Sequence, residues 1–258
     1  MLHVDETKVS VEGKDGFVWV FANIDEVAYL YTETRQGDMV QSLLKEFKGV
    51  LVSDFYAAYD GIQCAQQKCL IHLIRDLNDA LLKSPYDEQL KLVAQSFADL
   101  VRPMVETVDR YGLEKHFLRK HLRSVDRFYK HLPDGELSSE AAGKFIDRFE
   151  RDRDTLFTFL TVDGVPWNNN NAEHAVKPLA MLRRVIGGVT SEKGIRDYLV
   201  LLSICETCKY KQIEFLDFLR SGEKDIEVFA QSRSKKRKPA PGKDAPADGT
   251  LGAADAWG

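Results

Sequence analysis

The sequence predicts an α/β fold in which a mixed sheet is interrupted by a block of helices. Three observations lead there. β-branched and aromatic residues crowd the N-terminal stretch, turn residues cut that stretch into short strands, and from about Ser84 to Leu160 apolar residues recur only at helical spacing. A chain of 258 residues with 44% hydrophobic and 29% charged content is one large domain or two small ones, with enough apolar surface for a full core. It carries 36 basic and 40 acidic residues, a formal net charge of -4. That excludes a polycation that coats nucleic acid by bulk charge, but not an enzyme acting on nucleic acid through local patches. Four cysteines are too few for a disulfide scaffold, and nothing resembles a signal peptide. A reducing, cytoplasmic setting is expected. No apolar run approaches the ~18 residues of a membrane span, so no membrane partner is expected.

The elements follow in order. Leu2 to Val11 carries β-branched residues in loose alternation and reads as a strand; Gly13 and Asp15-Gly16 punctuate it as a turn. Phe17 to Ala22 is a continuous apolar run, as in a buried strand. Val27 to Thr32 is a third strand, and the tight turns imply an antiparallel meander. Asp38 is expected to cap a helix from Met39 to Phe47 with Val40, Leu43, Leu44 and Phe47 on one face. Val50 to Ser53 is a short apolar strand ending in Asp54. A fifth strand is expected near Lys68 to Leu70, then a helix from Ile71 to Leu82 with Leu73, Ile74, Leu77 and Leu81 on its apolar side. Within the helical block the runs are Leu90 to Met104, Tyr111 to His131, and Ser138 to Leu160. The four asparagines 168–171 signal entry to a helix from Ala172 to about Leu182, and a last helix runs from near Ser191 to Lys209. The expected organisation is a first part of the core at 1–83, a helical insertion at 84–161, a second part of the core at 162–230, and a disordered basic, then Pro/Gly/Ala-rich tail at 231–258.

Three carboxylates stand out as chemistry. Asp5 sits mid-strand among apolar residues, where a carboxylate is costly unless it is paired or bound to metal. Asp54 ends an apolar strand, the ligand-binding edge of a sheet with parallel strands. Glu173 lies in the first turn of the helix after the asparagines. Two strand-end aspartates and a facing helix glutamate offer the hard oxygen ligands that Mg²⁺ requires, and two such ions could clamp an in-line phosphoryl transfer. Singly, each also has a plain structural reading: an exposed strand residue, a turn cap, and a charge favouring the helix dipole.

Four blocks in order resemble one family. His3-Val4-Asp5-Glu6-Thr7, Val52 through Tyr59, Cys69-Leu70-Ile71-His72 and Asn169 through His174 resemble the catalytic blocks of the insertion-sequence-sixty-six family of bacterial DDE transposases. Leu182-Arg183-Arg184-Val185-Ile186-Gly187-Gly188 with Ser191-Glu192-Lys193-Gly194 resembles its C-terminal block. The resemblance covers roughly residues 1 to 220. It implies an RNase H-like mixed sheet with a helical insertion before the last acid, and a metal-binding catalytic set of Asp5, Asp54 and Glu173. It implies Mg²⁺, with Mn²⁺ able to substitute, DNA as partner (terminal inverted repeats and target), a homo-oligomer on DNA and accessory transposition proteins. Two positions depart from the pattern. Asn168 stands where the family often has Asp, and His174 where it often has Arg. The family's N-terminal end-binding region is also missing from this chain, which reads as a catalytic-domain fragment, a truncated copy, or a chain needing a partner for site recognition.

Basic residues fit a DNA role. Seven Lys or Arg against two acids lie between Arg110 and His131, and Lys115, Arg119, Arg123 and Arg127 recur at four-residue steps. On one continuous helix they form a phosphate-neutralising stripe or a solvated face. Lys177 lies one turn after Glu173, placed either for a scissile phosphate or for an i,i+4 pair with Glu173. Arg183 and Arg184 follow near the helix end. The 235–238 basic run reads first as a solvated linker. Cys69-x-x-His72 and Cys205-x-x-Cys208 have zinc-like spacing, but the second pair sits within a helical pattern as buried thiols do, so zinc is not expected. The leading expectation is cleavage of transposon ends and strand transfer. Its rivals are a catalytically silent remnant that binds DNA or a transposase subunit, and a nuclease of the same fold without strand transfer.

Overall fold

The structure is a computed structural model that describes residues 1–133, 138–186 and 191–236. Its sheet begins as the expected meander. β1 (Leu2–Val11) pairs antiparallel with β2 (Lys14–Ala22), and β2 with β3 (Val27–Thr32). The first turn is tighter than the Asp15-Gly16 reading placed it. Val11 pairs with Lys14, so the hairpin loop is Glu12 and Gly13, both with positive φ. A two-residue loop of this kind matches the right-handed twist of the strands, and glycine takes the left-handed position without strain. Asp15 and Gly16 are already inside β2.

The chain then crosses through α1 (Asp38–Leu43) to β4 (Val50–Ser53), parallel to β1, and on to β5 (Ala65–Lys68), parallel to β4. The sheet order is β3-β2-β1-β4-β5. α1 is shorter than the expected Met39–Phe47 helix. Asp38 lies in its first turn and makes no side-chain cap, and Leu43 points to solvent while Val40 and Leu44 are buried. β5 also ends before Cys69, which instead stands at the N-cap of α2 (Leu70–Lys83).

Strand alternation sorts the core onto two faces. Val4, Trp19, Phe21 and Leu51 pack with Val40, Leu44, Tyr59 and Ile62 on the α1 side. On the other face Val9, Val11, Val18, Val20, Tyr29 and Tyr31 pack under α8 (Asn170–Ile186) and α9 (Glu192–Tyr210). Val50 and Val52 join a third cluster with α2 and the helices that follow.

Those helices are α3 (Glu88–Tyr111), α4 (Lys115–Leu118), α5 (Leu122–Lys130), α6 (Glu140–Arg151) and α7 (Arg153–Leu156). Phe97, Phe128 and Phe149 meet at their centre, with ring centroids 4.9 to 6.1 Å apart. Buried Gln67 on β5 binds this region to the sheet: its amide donates to Leu156 O and accepts from Phe159 N. The expected single helix from Tyr111 to His131 is broken. Gly112 with positive φ follows α3, and a 3-10 turn at Arg119–His121 separates α4 from α5. Within that turn His121 is turned inward, to within 2.8 Å of Thr107 Oγ1 on α3.

Compactness divides the chain into Met1–Gln212 and Ile213–Gly258. The second unit contains α10 (Phe215–Ser221) and α11 (Ile226–Lys236), joined by an edge-on contact of Phe218 with Phe229. Of the tail expected to be disordered at 231–258, residues 231–236 instead continue α11, and the rest lies outside the described residues. Among the described residues no helix is long and apolar enough to cross a membrane.

Candidate active site

Parallel pairing of a long strand with a short one creates the site. β1 meets β4 through Leu2–Leu51 and His3–Val52. Continuing that register by two residues sets Asp5 level with Asp54, just past the end of β4. Carboxylate oxygens of Asp5, Glu6 and Asp54 lie within 4.8 Å of one another. Each is held. The Asp5 carboxylate accepts the Glu6 amide at 2.8 Å, and that of Asp54 accepts the Tyr56 amide at 2.9 Å. Glu6 is fixed by the Arg35 guanidinium and the Tyr59 hydroxyl. The side chain of Arg35 also stacks on Tyr56, 4.1 Å from the ring centroid.

Glu173 approaches from α8, and Asn169 sets the entry of that helix. Fully buried, Asn169 donates from its side-chain amide to Val4 O at 2.9 Å and sits 2.9 Å from His3 Nδ1 through its oxygen. Its backbone amide donates to Cys69 Sγ at 3.2 Å. One asparagine thus ties α8 to β1 beside Asp5 and to the start of α2. Asn171 adds a bond to Asn23 O and accepts from Tyr210. Glu173 Oε1 stands 3.6 Å from Arg75 and 3.9 Å from His72 Nδ1. Those are ion-pair distances, too long for hydrogen bonds.

The electrostatics couple these groups. Burial pushes the Asp5 carboxyl up to about 7; the Glu6 amide bond opposes this, and the charges of Glu6, Asp54 and Glu173 add to it. A part-buried carboxyl beside like charges is one whose ionised form a cation would stabilise. Oxygen donors crowded in this way fit a hard divalent ion.

The model of the Transposase IS66 family matches residues 1–197, a stretch that runs from β1 into α9. The chain belongs to this family. The family is one of transposases, enzymes of DNA transposition and recombination. The chain is also 24% identical over 243 residues to the uncharacterized protein y4qI of Sinorhizobium fredii (strain NBRC 101917 / NGR234). The match covers 79% of this chain and 42% of that protein, so the chain spans less than half of that relative's length.

The other residues singled out in this IS66 sequence are dispersed. Lys177 is exposed and lies 3.4 Å from His174, while Glu173 faces α2. The side chains of Arg183 and Arg184, and residues Gly187 and Gly188, lie outside the described residues. Lys115 is bound to Asp163 through both its backbone and side-chain nitrogens. Arg119, in the 3-10 turn between α4 and α5, and Arg123, on α5, are exposed. The four-ligand zinc spacing does not assemble. Cys205 and Cys208 lie on α9, which packs on β3 at the opposite edge of the sheet from β5, whereas Cys69 and His72 gather with Glu173. Sequence reading missed Glu6, Arg35, Tyr59 and Arg75. Glu6 and Tyr59 lie in the blocks that carry the resemblance, and Glu6 also adjoins Asp5, though strand alternation argued that it faces away; Arg35 and Arg75 carried no signal.

Proposed function

We propose that this chain carries the catalytic core of a DDE transposase on an RNase H-like sheet, with Asp5, Asp54 and Glu173 as its metal-binding carboxylates. The core would comprise 1–83 and 162–230, with 84–161 inserted as a helical block. One observation carries the reading: Asp5 within β1 stands level with Asp54 just past the end of the parallel strand β4, and the charge of Glu173 on α8 reaches Asp5. The residues present fit Mg²⁺, or Mn²⁺ in its place. When bound, two such ions supply charge stabilisation for the attacking and leaving oxygens of an in-line phosphoryl transfer.

The chain's own residues prepare that site. Tyr56 and Glu6 amides orient the aspartates, Arg35 and Tyr59 keep Glu6 in place, and Asn169 fixes the helix that bears Glu173. The reaction is hydrolysis of a phosphodiester at each element end, freeing a 3′ hydroxyl, followed by in-line attack of that hydroxyl on target DNA. Lys177, Arg183, Arg184, Lys115, Arg119 and Arg123 are proposed to bind phosphates. A homo-oligomer bringing two ends together, with accessory transposition proteins, would act on DNA in the bacterial cytoplasm.

A second reading, a catalytically silent form that binds DNA or another subunit, is favoured by the engagement of Glu173 with Arg75 and His72 rather than with the aspartates. Mg²⁺- or Mn²⁺-dependent nicking of DNA bearing the flanking element's ends separates the two. Nicking by wild type that vanishes in Asp54→Asn supports the catalytic reading. Equal nicking by both chains points to a contaminant or another site. Binding without nicking supports the silent form.

A further inference from the structure

Cys69, His72 and Glu173 form a group of which the proposed DNA chemistry uses only Glu173. Cys69 is fully buried at the N-cap of α2, and His72 follows in the first turn of that helix. A sulfur, an imidazole nitrogen and a carboxylate oxygen from the three lie within 4.8 Å of one another. Two of these residues present atoms without hydrogen-bond partners. Nδ1 of His72 and Oε1 of Glu173 are shielded from solvent, and neither is hydrogen-bonded. Their 3.9 Å separation is close to the roughly 3.4 Å that nitrogen and oxygen ligands span around a tetrahedral zinc with bonds of about 2.0–2.2 Å.

The sulfur lies in the same group. Burial pushes the Cys69 thiol up, but backbone amides of His72, Asn169 and Ile71 donate to it and favour its thiolate. A soft cation supplies the remaining stabilisation, with the thiol proton released to solvent. Sulfur and imidazole favour zinc-class ions, whereas the all-oxygen group at Asp5 favours magnesium.

The geometry points to a soft-metal site in which Cys69, His72 and Glu173 bind one zinc-class ion through sulfur, nitrogen and oxygen, leaving a fourth position open. Arg75, 3.6 Å from the same Glu173 oxygen and more than half exposed, is the cation such an ion displaces. Because Glu173 is shared, occupancy here withdraws it from Asp5 and Asp54. That consequence rests on the catalytic reading; the binding itself does not.

Co²⁺ added to the full chain in excess Mg²⁺ tests the site, since a thiolate ligand produces a near-ultraviolet sulfur-to-cobalt charge-transfer band. Wild type is expected to show the band and to lose it on adding Zn²⁺. Cys69→Ser is expected to lose it, while Cys208→Ser and Asp54→Asn keep it. His72→Gln, used with a circular-dichroism melt to confirm folding, is expected to weaken the tetrahedral visible absorption. No band in folded wild type, a band retained by Cys69→Ser, or an unchanged spectrum in His72→Gln would overturn the site. Absence of DNA nicking in Mg²⁺ alone, before any Co²⁺ or Zn²⁺ is added, in a chain that shows the band once Co²⁺ is added, overturns only the catalytic reading.

Discussion

Asp5 bears the electrostatic cost of the site, and its titration exposes that cost. Its carboxyl rises from an ordinary 3.8 to about 7 in the folded chain. The neutral form therefore favours folding; that contribution is complete below about pH 4 and is lost as pH rises through 7. Metal-free protein is expected to gain melting temperature between pH 8 and pH 5 by more than Asp5→Asn does. A divalent cation favours the carboxylate, so Mg²⁺ is expected to stabilise wild type more at pH 8 than at pH 5. Thermal melts at both pH values, with and without Mg²⁺, check both statements; equal slopes in wild type and Asp5→Asn would contradict them. The position of Asp5 was legible in the sequence as an acid inside an apolar strand. The Arg35–Glu6–Tyr59 arrangement was not, because its members are separated by 29 and 53 positions and meet only once the sheet is formed.

Asn169 acts on the scale of an element. Removing its side chain leaves Val4 O and His3 without their buried partner, at a cost of about 2–3 kcal/mol. Asn169→Ala is expected to reduce the unfolding free energy by that amount in a urea titration and to reduce nicking, whereas Asn168→Ala, outside the buried bonds, is expected to change both little. The asparagine run announced a helix start, but not which of the four residues is buried. The meander, β4 and α2 were legible because hydrophobic alternation and helical spacing are local patterns. The order β3-β2-β1-β4-β5 was not, since it depends on pairing between distant segments. The single helix expected from Tyr111 to His131 was not legible in its true form, since Gly112 and the 3-10 turn at Arg119–His121 divide a stretch whose spacing alone suits one helix.

At the scale of the whole molecule, a helical core holds β4 and β5. Phe149 is fully buried between Phe97 and Phe128, and Phe149→Ala is expected to cost about 3–5 kcal/mol in a denaturant titration. Arg119→Gln with Arg123→Gln is expected to weaken DNA binding uniformly across sequences and to reduce the salt slope by about 1 for each phosphate no longer neutralised. An unchanged slope would remove both residues from the DNA surface. The union of Asp5, Asp54 and Glu173 in one metal site is the central claim, and Glu173 is the member that now faces α2. Mn²⁺ binding, followed by electron paramagnetic resonance at pH 8 in wild type, Asp54→Asn and Glu173→Gln, tests that union most directly. Weaker Mn²⁺ binding in both variants is the expected result; a Glu173→Gln chain that binds Mn²⁺ as wild type does would contradict it.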